Sequence, residues 1–260
     1  MLSIEQNIKV WSAYDWNIGE GAEWSLPWGG VEQQWLATIY PRIYSFIPCG
    51  SILEIAVGYG RWGHFLSKYC EKYYGVDIVD SCVDTCKKKF PDGEFFVNDG
   101  KSLSMIKSNS IDFCFSYESL LHIEIDDLES YIQEILRVLK PDGIAFINHS
   151  NLKDVKKSLI KDNHFWRAKS VSAKEVRKLI EKYNGKVLVQ EAISSSDILL
   201  DAISVFHKSD KIKSGSKSII QNKNYQNEWD FGSDVISKYS LNSVKNTNLK
   251  KIKDICFENY

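Results

Sequence analysis

The sequence predicts an α/β fold: a seven-stranded, mostly parallel sheet that ends in an antiparallel hairpin. Three observations carry this. Short runs rich in Val, Ile, Phe and Tyr alternate with amphipathic stretches from residue 51 onward. The first run, 51–57, ends in a cluster of glycines at Gly58, Gly60 and Gly63. The last two runs, 186–192 and 199–207, are separated by too few residues for a parallel crossover, so they must pair antiparallel.

The elements follow in order. After the first strand, residues 61–70 read as a helix, 73–77 as a second strand and 80–89 as a helix closed by the turn Pro91-Asp92-Gly93. Residues 94–97 and 110–117 are the third and fourth strands. Over 125–139, Leu128, Ile132, Ile135, Leu136 and Leu139 recur at helical spacing, with Asp126 and Asp127 at the positive end of the helix dipole. Lys140-Pro141-Asp142-Gly143 stops that helix before a fifth strand at 144–148. Ser172 and Glu175 have the spacing of a capping box, and Gly185 closes the helix they begin. Upstream of the sheet, Val31, Trp35, Leu36, Ile39, Ile43 and Ile47 form an apolar helical stripe interrupted at Pro41. This divides the chain into a helical, lid-like extension (1–48), the sheet domain (49–207) and a Lys/Ser/Asn-rich extension (208–260) whose first part, 208–225, reads as a loosely docked linker.

Composition narrows the function. The 260 residues carry a formal net charge of −1, which argues against a protein that displaces counterions from nucleic acid. The charge is uneven: residues 208–260 hold ten Lys against six acids, leaving the body acidic. No run approaches the roughly 20 apolar residues needed to span a bilayer, and the start lacks a basic stretch followed by an apolar one, so no membrane role and a cytoplasmic location are expected. Of six cysteines none forms a CxxC pair. Cys82 and Cys86 are four apart on a helix, but nothing completes a metal site, so no metal is expected and the thiols read as free.

The strongest chemical signal is Glu54-Ile55-Ala56-Val57-Gly58-Tyr59-Gly60-Arg61-Trp62-Gly63, at a strand-to-helix junction. Glycines suit it because a tight turn needs positive φ and a ligand must reach the bare backbone. Read literally, Gly58-x-Gly60-x-x-Gly63 with Asp77 at the end of the second strand also satisfies a dinucleotide fingerprint, so a NAD-dependent oxidoreductase competes. Four features favour S-adenosylmethionine: Glu54 inside the first strand, Asp99-Gly100 after the third, the segment Glu118-Ser119-Leu120-Leu121-His122 after the fourth, and the terminal hairpin, which is foreign to a dinucleotide domain.

On these residues the stretch 50–207 resembles a class I S-adenosylmethionine-dependent methyltransferase with a Rossmann-like fold. The segments GRW (60–62), VNDGKSL (97–103), LKPDG (139–143), FINHSN (146–151) and NHFWRAKSVSA (163–173) resemble O-methyltransferases associated with sugar and surface-polysaccharide biosynthesis. Position 57 is Val where such sequences often have Pro, and position 63 is Gly where they often have Thr. The resemblance implies a cofactor site built from Glu54, Ala56, Gly58, Tyr59, Gly60 and Arg61 on the loop. Asp77 and Ile78 then face the ribose, Asp99, Gly100 and Lys101 the adenine, and Tyr117, Glu118 and Ser119 the transferred methyl. The expected acceptor is a small polar molecule, a sugar or nucleotide-linked intermediate methylated on oxygen.

A hydroxyl acceptor needs a base, and His122 and His149, both at carboxyl ends of strands, are the catalytic candidates. A carboxylate, phosphate or phosphoramidate oxygen needs none, and arginine would orient it. A binding module without catalysis is a further alternative. His164 and Arg167 are candidate acceptor contacts. Five of eight tryptophans lie in the first 35 residues, among glycines, which suggests a lid, with Trp24 and Trp28 expected nearest the ligands. Lys250, Lys251 and Lys253 in the tail read as a solvated face.

Overall fold

A computed structural model of the chain describes residues 3–160, 166–195, 198–225 and 228. Eight strands form one sheet among these residues: β1 (Cys49–Ile55), β2 (Cys70–Asp77), β3 (Glu94–Val97), β4 (Ile111–Ser116), β5 (Leu139–Ser150), β6 (Lys186–Ser195), β7 (Ile198–His207) and β8 (Ile220–Asn222). Their order is β3-β2-β1-β4-β5-β7-β6-β8. The first five in that order are mutually parallel, and β7 runs against both β5 and β6. The expected hairpin is therefore present.

The helices are α1 (Ile4–Ala13), α2 (Val31–Gln34), α3 (Tyr40–Ile43), α4 (Gly63–Leu66), α5 (Asp80–Lys89), α6 (Ile125–Val138) and α7 (Ala173–Lys182). α1 starts with a reciprocal capping box between Ser3 and Gln6. Ser172 caps α7 by accepting from the Glu175 amide.

Both sheet faces are buried, so strand residues alternate between two apolar layers. Phe113, Phe115, Ile144 and Phe146 face one layer, which is closed by Trp35, Leu36, Ile39 and Ile43 of the N-terminal extension. Phe115 stacks on Phe146 at 5.5 Å, and Trp35 on Phe65 at 4.7 Å. Cys114, Ala145 and Ile147 face the other layer, beneath Leu128, Ile132 and Ile135 of α6 and Val176 and Ile180 of α7. Cys82 and Cys86 are buried on α5, and no group of three or more His, Cys, Asp or Glu among the described residues could hold a metal. No helix among them is long and apolar enough to cross a membrane.

Three expectations change. The helix over 61–70 is short: α4 ends at Leu66, a 3-10 turn covers Ser67–Tyr69, and Cys70 already belongs to β2. The break at Pro41 is a π-helical segment, Trp35–Ile39, directly before it, as expected where a residue lacking an amide hydrogen interrupts the ladder. The stretch 208–225 holds an eighth strand, β8, parallel to β6, and a buried Tyr225.

What ties this segment down is a buried charge cluster. Arg42, fully buried on α3, donates through Nε and Nη2 to Glu191 on β6 at 2.8 and 2.9 Å, and through Nη1 to Glu228 at 2.7 Å. The Asn222 amide of β8 donates to Glu191 at 2.7 Å, and the guanidinium lies 4.9 Å from the Tyr225 ring centroid. Burial raises the Glu228 pKa, against the pull of Arg42.

Candidate active site

The chain runs outward from β1 through β2 to β3, then returns to β4 and β5 on the other side of β1. That reversal opens a crevice at the carboxyl ends of β1 and β4, where α/β sheets take ligands. A cavity with an empty volume of about 940 Å³ lies there.

Its floor is the loop after β1. Ala56 has φ 62° and Gly58 φ 53°, so the chain turns through the left-handed region at a residue that disfavours it, strain typical of functional sites. At Gly60 (φ 83°) a Cβ would come within 2.5 Å of Phe90, which leaves no room for any other residue. Asp77, at the end of β2, accepts from the Gly58 amide at 2.8 Å and the Val79 amide at 3.0 Å. Glu54 accepts from the Tyr73 hydroxyl. Burial raises Asp77 to about 6 despite its backbone donors, and Glu54 to about 8 despite Tyr73 and nearby Arg61. A cation entering the cavity would favour the ionised form of both.

The N-terminal extension supplies one wall. Ile4, Asn7 and Trp11 lie along one face of α1 and line the cavity together with Trp16, Glu20 and Trp24. Trp16 stacks on Tyr59 of the glycine loop at 5.2 Å and 11°, and Trp11 lies 6.2 Å from Trp16. Lys89 on α5 donates to the Tyr59 carbonyl at 3.0 Å and pairs with Glu20, fastening this wall to the loop.

The opposite wall follows β4. Glu118 adopts φ 59° and pairs with Arg61 at 2.6 Å. His122 lies beside Trp11, ring to ring 5.6 Å, and its Nδ1 is 2.7 Å from the Trp166 carbonyl. Burial lowers the His122 pKa, so the ring is neutral at ordinary pH.

Of the residues singled out in the sequence, the cavity wall contains Glu54, Ala56, Gly58, Tyr59, Arg61, Asp77, Ile78, Gly100, Tyr117, Glu118, Ser119, Trp24 and His122. Gly60 shapes the turn without lining it. Asp99 is exposed and accepts from the Lys101 and Ser102 amides, and the wall there is formed by buried Asn98, which donates to the Tyr131 hydroxyl. Lys101 is also outside the wall. Trp28 packs 6.2 Å from Tyr225, away from the cavity. Arg167 forms a two-pronged ion pair with Asp201 at 2.6 and 2.8 Å. His149 is fully buried in the sheet, with Nε2 2.8 Å from the Ser204 hydroxyl, and its pKa is pushed down to about 4 by burial. His164 and the lysines at 250, 251 and 253 lie outside the described residues.

Sequence reasoning missed Ile4, Asn7, Asn98 and Tyr131, and left Trp11 and Trp16 unassigned within the N-terminal extension. The Ser3–Gln6 capping pattern followed by the i, i+3, i+7 spacing of Ile4, Asn7 and Trp11 was the available signal.

These residues fit S-adenosylmethionine: a glycine-lined approach to bare backbone, a carboxylate at the end of β2, and a buried acid in β1 opposite an arginine. A methyltransferase domain family matches residues 53–147. The chain is 28% identical over 117 residues to phosphoethanolamine N-methyltransferase 1 of Zea mays, an overlap of 42% of this chain and 23% of that protein. It is 28% identical over 120 residues to the Triticum aestivum protein of that name, covering 42% and 24%. The chain thus spans about a quarter of the length of the curated relatives it matches. Among solved structures, the DhpI–S-adenosylhomocysteine complex superposes with a TM-score of 0.56 at 16% identity, covering 80% of this chain and 97% of that one. A S-adenosylmethionine-dependent methyltransferase of Methanosarcina mazei superposes with a TM-score of 0.53 at 18% identity, covering 66% and 99%. The fold is the Rossmann-like fold of these superposed structures, and residues 53–147 match a methyltransferase domain family.

Proposed function

We propose that this chain, carrying a S-adenosylmethionine-dependent methyltransferase domain, methylates an oxygen of a small polar acceptor, with His122 as general base. The observation that carries this reading is the placement of His122, a neutral imidazole in the cavity wall with Nδ1 occupied by the Trp166 carbonyl. When bound, S-adenosylmethionine supplies an electrophilic methyl carbon on a sulfonium sulfur.

Asp77 and the Gly58–Gly60 loop hold the cofactor. Trp11, Trp16 and Trp24 exclude water and offer ring faces against which an acceptor can align. His122 Nε2 would take the proton that the acceptor hydroxyl releases when its oxygen receives the methyl group. His149 is left out of the reaction, because both its nitrogens are engaged within the sheet.

The sugar-type acceptor, free or nucleotide-linked and destined for a capsular or surface polysaccharide, is supported by the resemblance of segments 60–62, 97–103, 139–143 and 146–151. A second reading, methylation of an amine nitrogen, is favoured by the names of the plant relatives. An amine must also lose a proton, so His122 serves either acceptor. An anionic oxygen would need no base, and Arg167, already paired with Asp201, would have to turn to it. The cytoplasm is the proposed compartment, since the five described cysteines are free.

The test has two steps: thermal shifts with S-adenosylhomocysteine and with NAD, then S-adenosylhomocysteine release over a panel of sugar, nucleotide-sugar, amine and carboxylate acceptors. Stabilisation by NAD alone would overturn the cofactor, and turnover only on carboxylates or phosphates would remove the base.

A further inference from the structure

Arg61 and Glu118 face each other in the cavity, and each is gripped from behind by the N-terminal extension. Arg61 Nη2 lies 2.6 Å from Glu118 Oε2, and its Nη1 donates to the Ser25 hydroxyl at 3.2 Å. The Gln34 amide donates to the other Glu118 oxygen at 2.8 Å. Ser25 and Gln34 are both fully buried. The ion pair therefore joins the glycine loop to the segment after β4, and the extension fixes both of its members.

Two further polar atoms lie beside this pair with nothing to bond. The indole N–H of Trp62, whose ring lines the cavity 4.4 Å from the Arg61 guanidinium, is buried without a partner. So is the carbonyl oxygen of Gln34, the surplus acceptor of an amide whose N–H already serves Glu118. Buried polar atoms without partners cost free energy and mark places where a ligand completes the bonding. Of the two, Trp62 lines the cavity, so the donor that a ligand can reach lies next to the arginine. An α-amino acid group has the matching complement: its carboxylate only accepts and its ammonium only donates.

We propose that residues 22–34 of the extension build the seat for the amino-acid end of the cofactor. Arg61 and the Trp62 indole take the carboxylate, while Glu118, positioned by Gln34, takes the ammonium. Ser25 and Gln34 are positioning residues: each binds one charge from behind, so that an entering zwitterion can exchange the Arg61–Glu118 contact for one contact with each. The proposal rests on the cofactor assignment above and gives the tryptophan-rich extension a role the core sheet cannot supply.

The experiment compares two ligands that share the nucleoside: S-adenosylhomocysteine, which has the amino-acid end, and 5′-methylthioadenosine, which lacks it. Their Kd values are measured by calorimetry for wild type, Gln34→Leu, Ser25→Ala and Trp62→Phe. Trp62→Phe keeps a ring in the core and carries the test should Gln34→Leu not fold. Gln34→Leu and Trp62→Phe are each expected to weaken S-adenosylhomocysteine roughly tenfold or more, as for loss of a hydrogen bond to a charged group. The Kd of 5′-methylthioadenosine should stay within about twofold, a split that a merely structural role would not produce. Equal weakening of both ligands, or unchanged S-adenosylhomocysteine binding, would overturn the seat. Failure of wild type to bind either ligand would instead overturn the cofactor assignment and the seat with it.

Discussion

His122 Nδ1 sits 2.7 Å from the main-chain carbonyl oxygen of Trp166. A carbonyl only accepts, so Nδ1 carries the proton and the neutral ring keeps its lone pair on Nε2. The segment after β5 thereby chooses the tautomer of a residue on the loop after β4. His122→Gln is expected to lower kcat by about 10²–10⁴-fold while leaving the S-adenosylhomocysteine Kd unchanged. Because burial lowers the His122 pKa, wild-type kcat should persist below the ordinary histidine range and decline only at more acid pH. Wild-type kcat in the variant would remove the base.

His149 makes a prediction about stability rather than rate. Burial moves its pKa from 6.5 to about 4, so the unfolded chain binds this proton more tightly than the folded chain. The stability its neutral ring provides is complete above pH 6.5 and drains away as pH falls toward 4, about 3 kcal/mol over that window. Urea unfolding of His149→Gln should show a shallower pH dependence across the same interval. Identical slopes in the two proteins would refute this.

Arg42 faces two carboxylates in a site without solvent. Arg42→Met strands Glu191 and Glu228 against each other and is expected to cost about 3–5 kcal/mol in chemical unfolding. The double variant Arg42→Met/Glu228→Gln should recover part of the loss. No recovery would mean that the carboxylates are not the source of the penalty.

The tryptophan wall predicts a ligand-dependent change in backbone protection. With Trp16 stacked on Tyr59 and Trp24 lining the cavity, S-adenosylhomocysteine should slow amide exchange across residues 11–24. Unchanged exchange there, with protection confined to the glycine loop, would show that this segment does not close on the ligand.

Much of the fold is legible from local pattern. The alternation of Phe113, Cys114 and Phe115 announces a strand buried on both faces, and the spacing of Leu128, Ile132 and Ile135 announces α6. The glycine loop, Asp77 and Glu118 could be placed because strand ends and turns are local features. Asp99 was legible as a residue but not in its orientation, since an aspartate can satisfy amides of its own turn instead of facing inward. Cys70 looked helical because a short apolar run does not distinguish the end of a helix from the start of a strand. The partners of Arg42 are 149 and 186 residues away, and no periodicity encodes so distant a contact. The same holds for Gln34, whose carboxylate partner is 84 residues downstream.

The Arg42 cluster also sets an order of events at the ribosome. Of the three parts the helix bearing the guanidinium is made first, β6 delivers its first carboxylate much later, and Glu228 arrives later still. Until then the apolar face of that helix can pack while its charge stays incompletely matched, so the early chain has reason to remain loosely closed. The short strand β8 and the turn that follows it act as the last stitch. A nascent chain arrested before residue 228 has emerged should be markedly more sensitive to protease than one in which residue 228 has emerged.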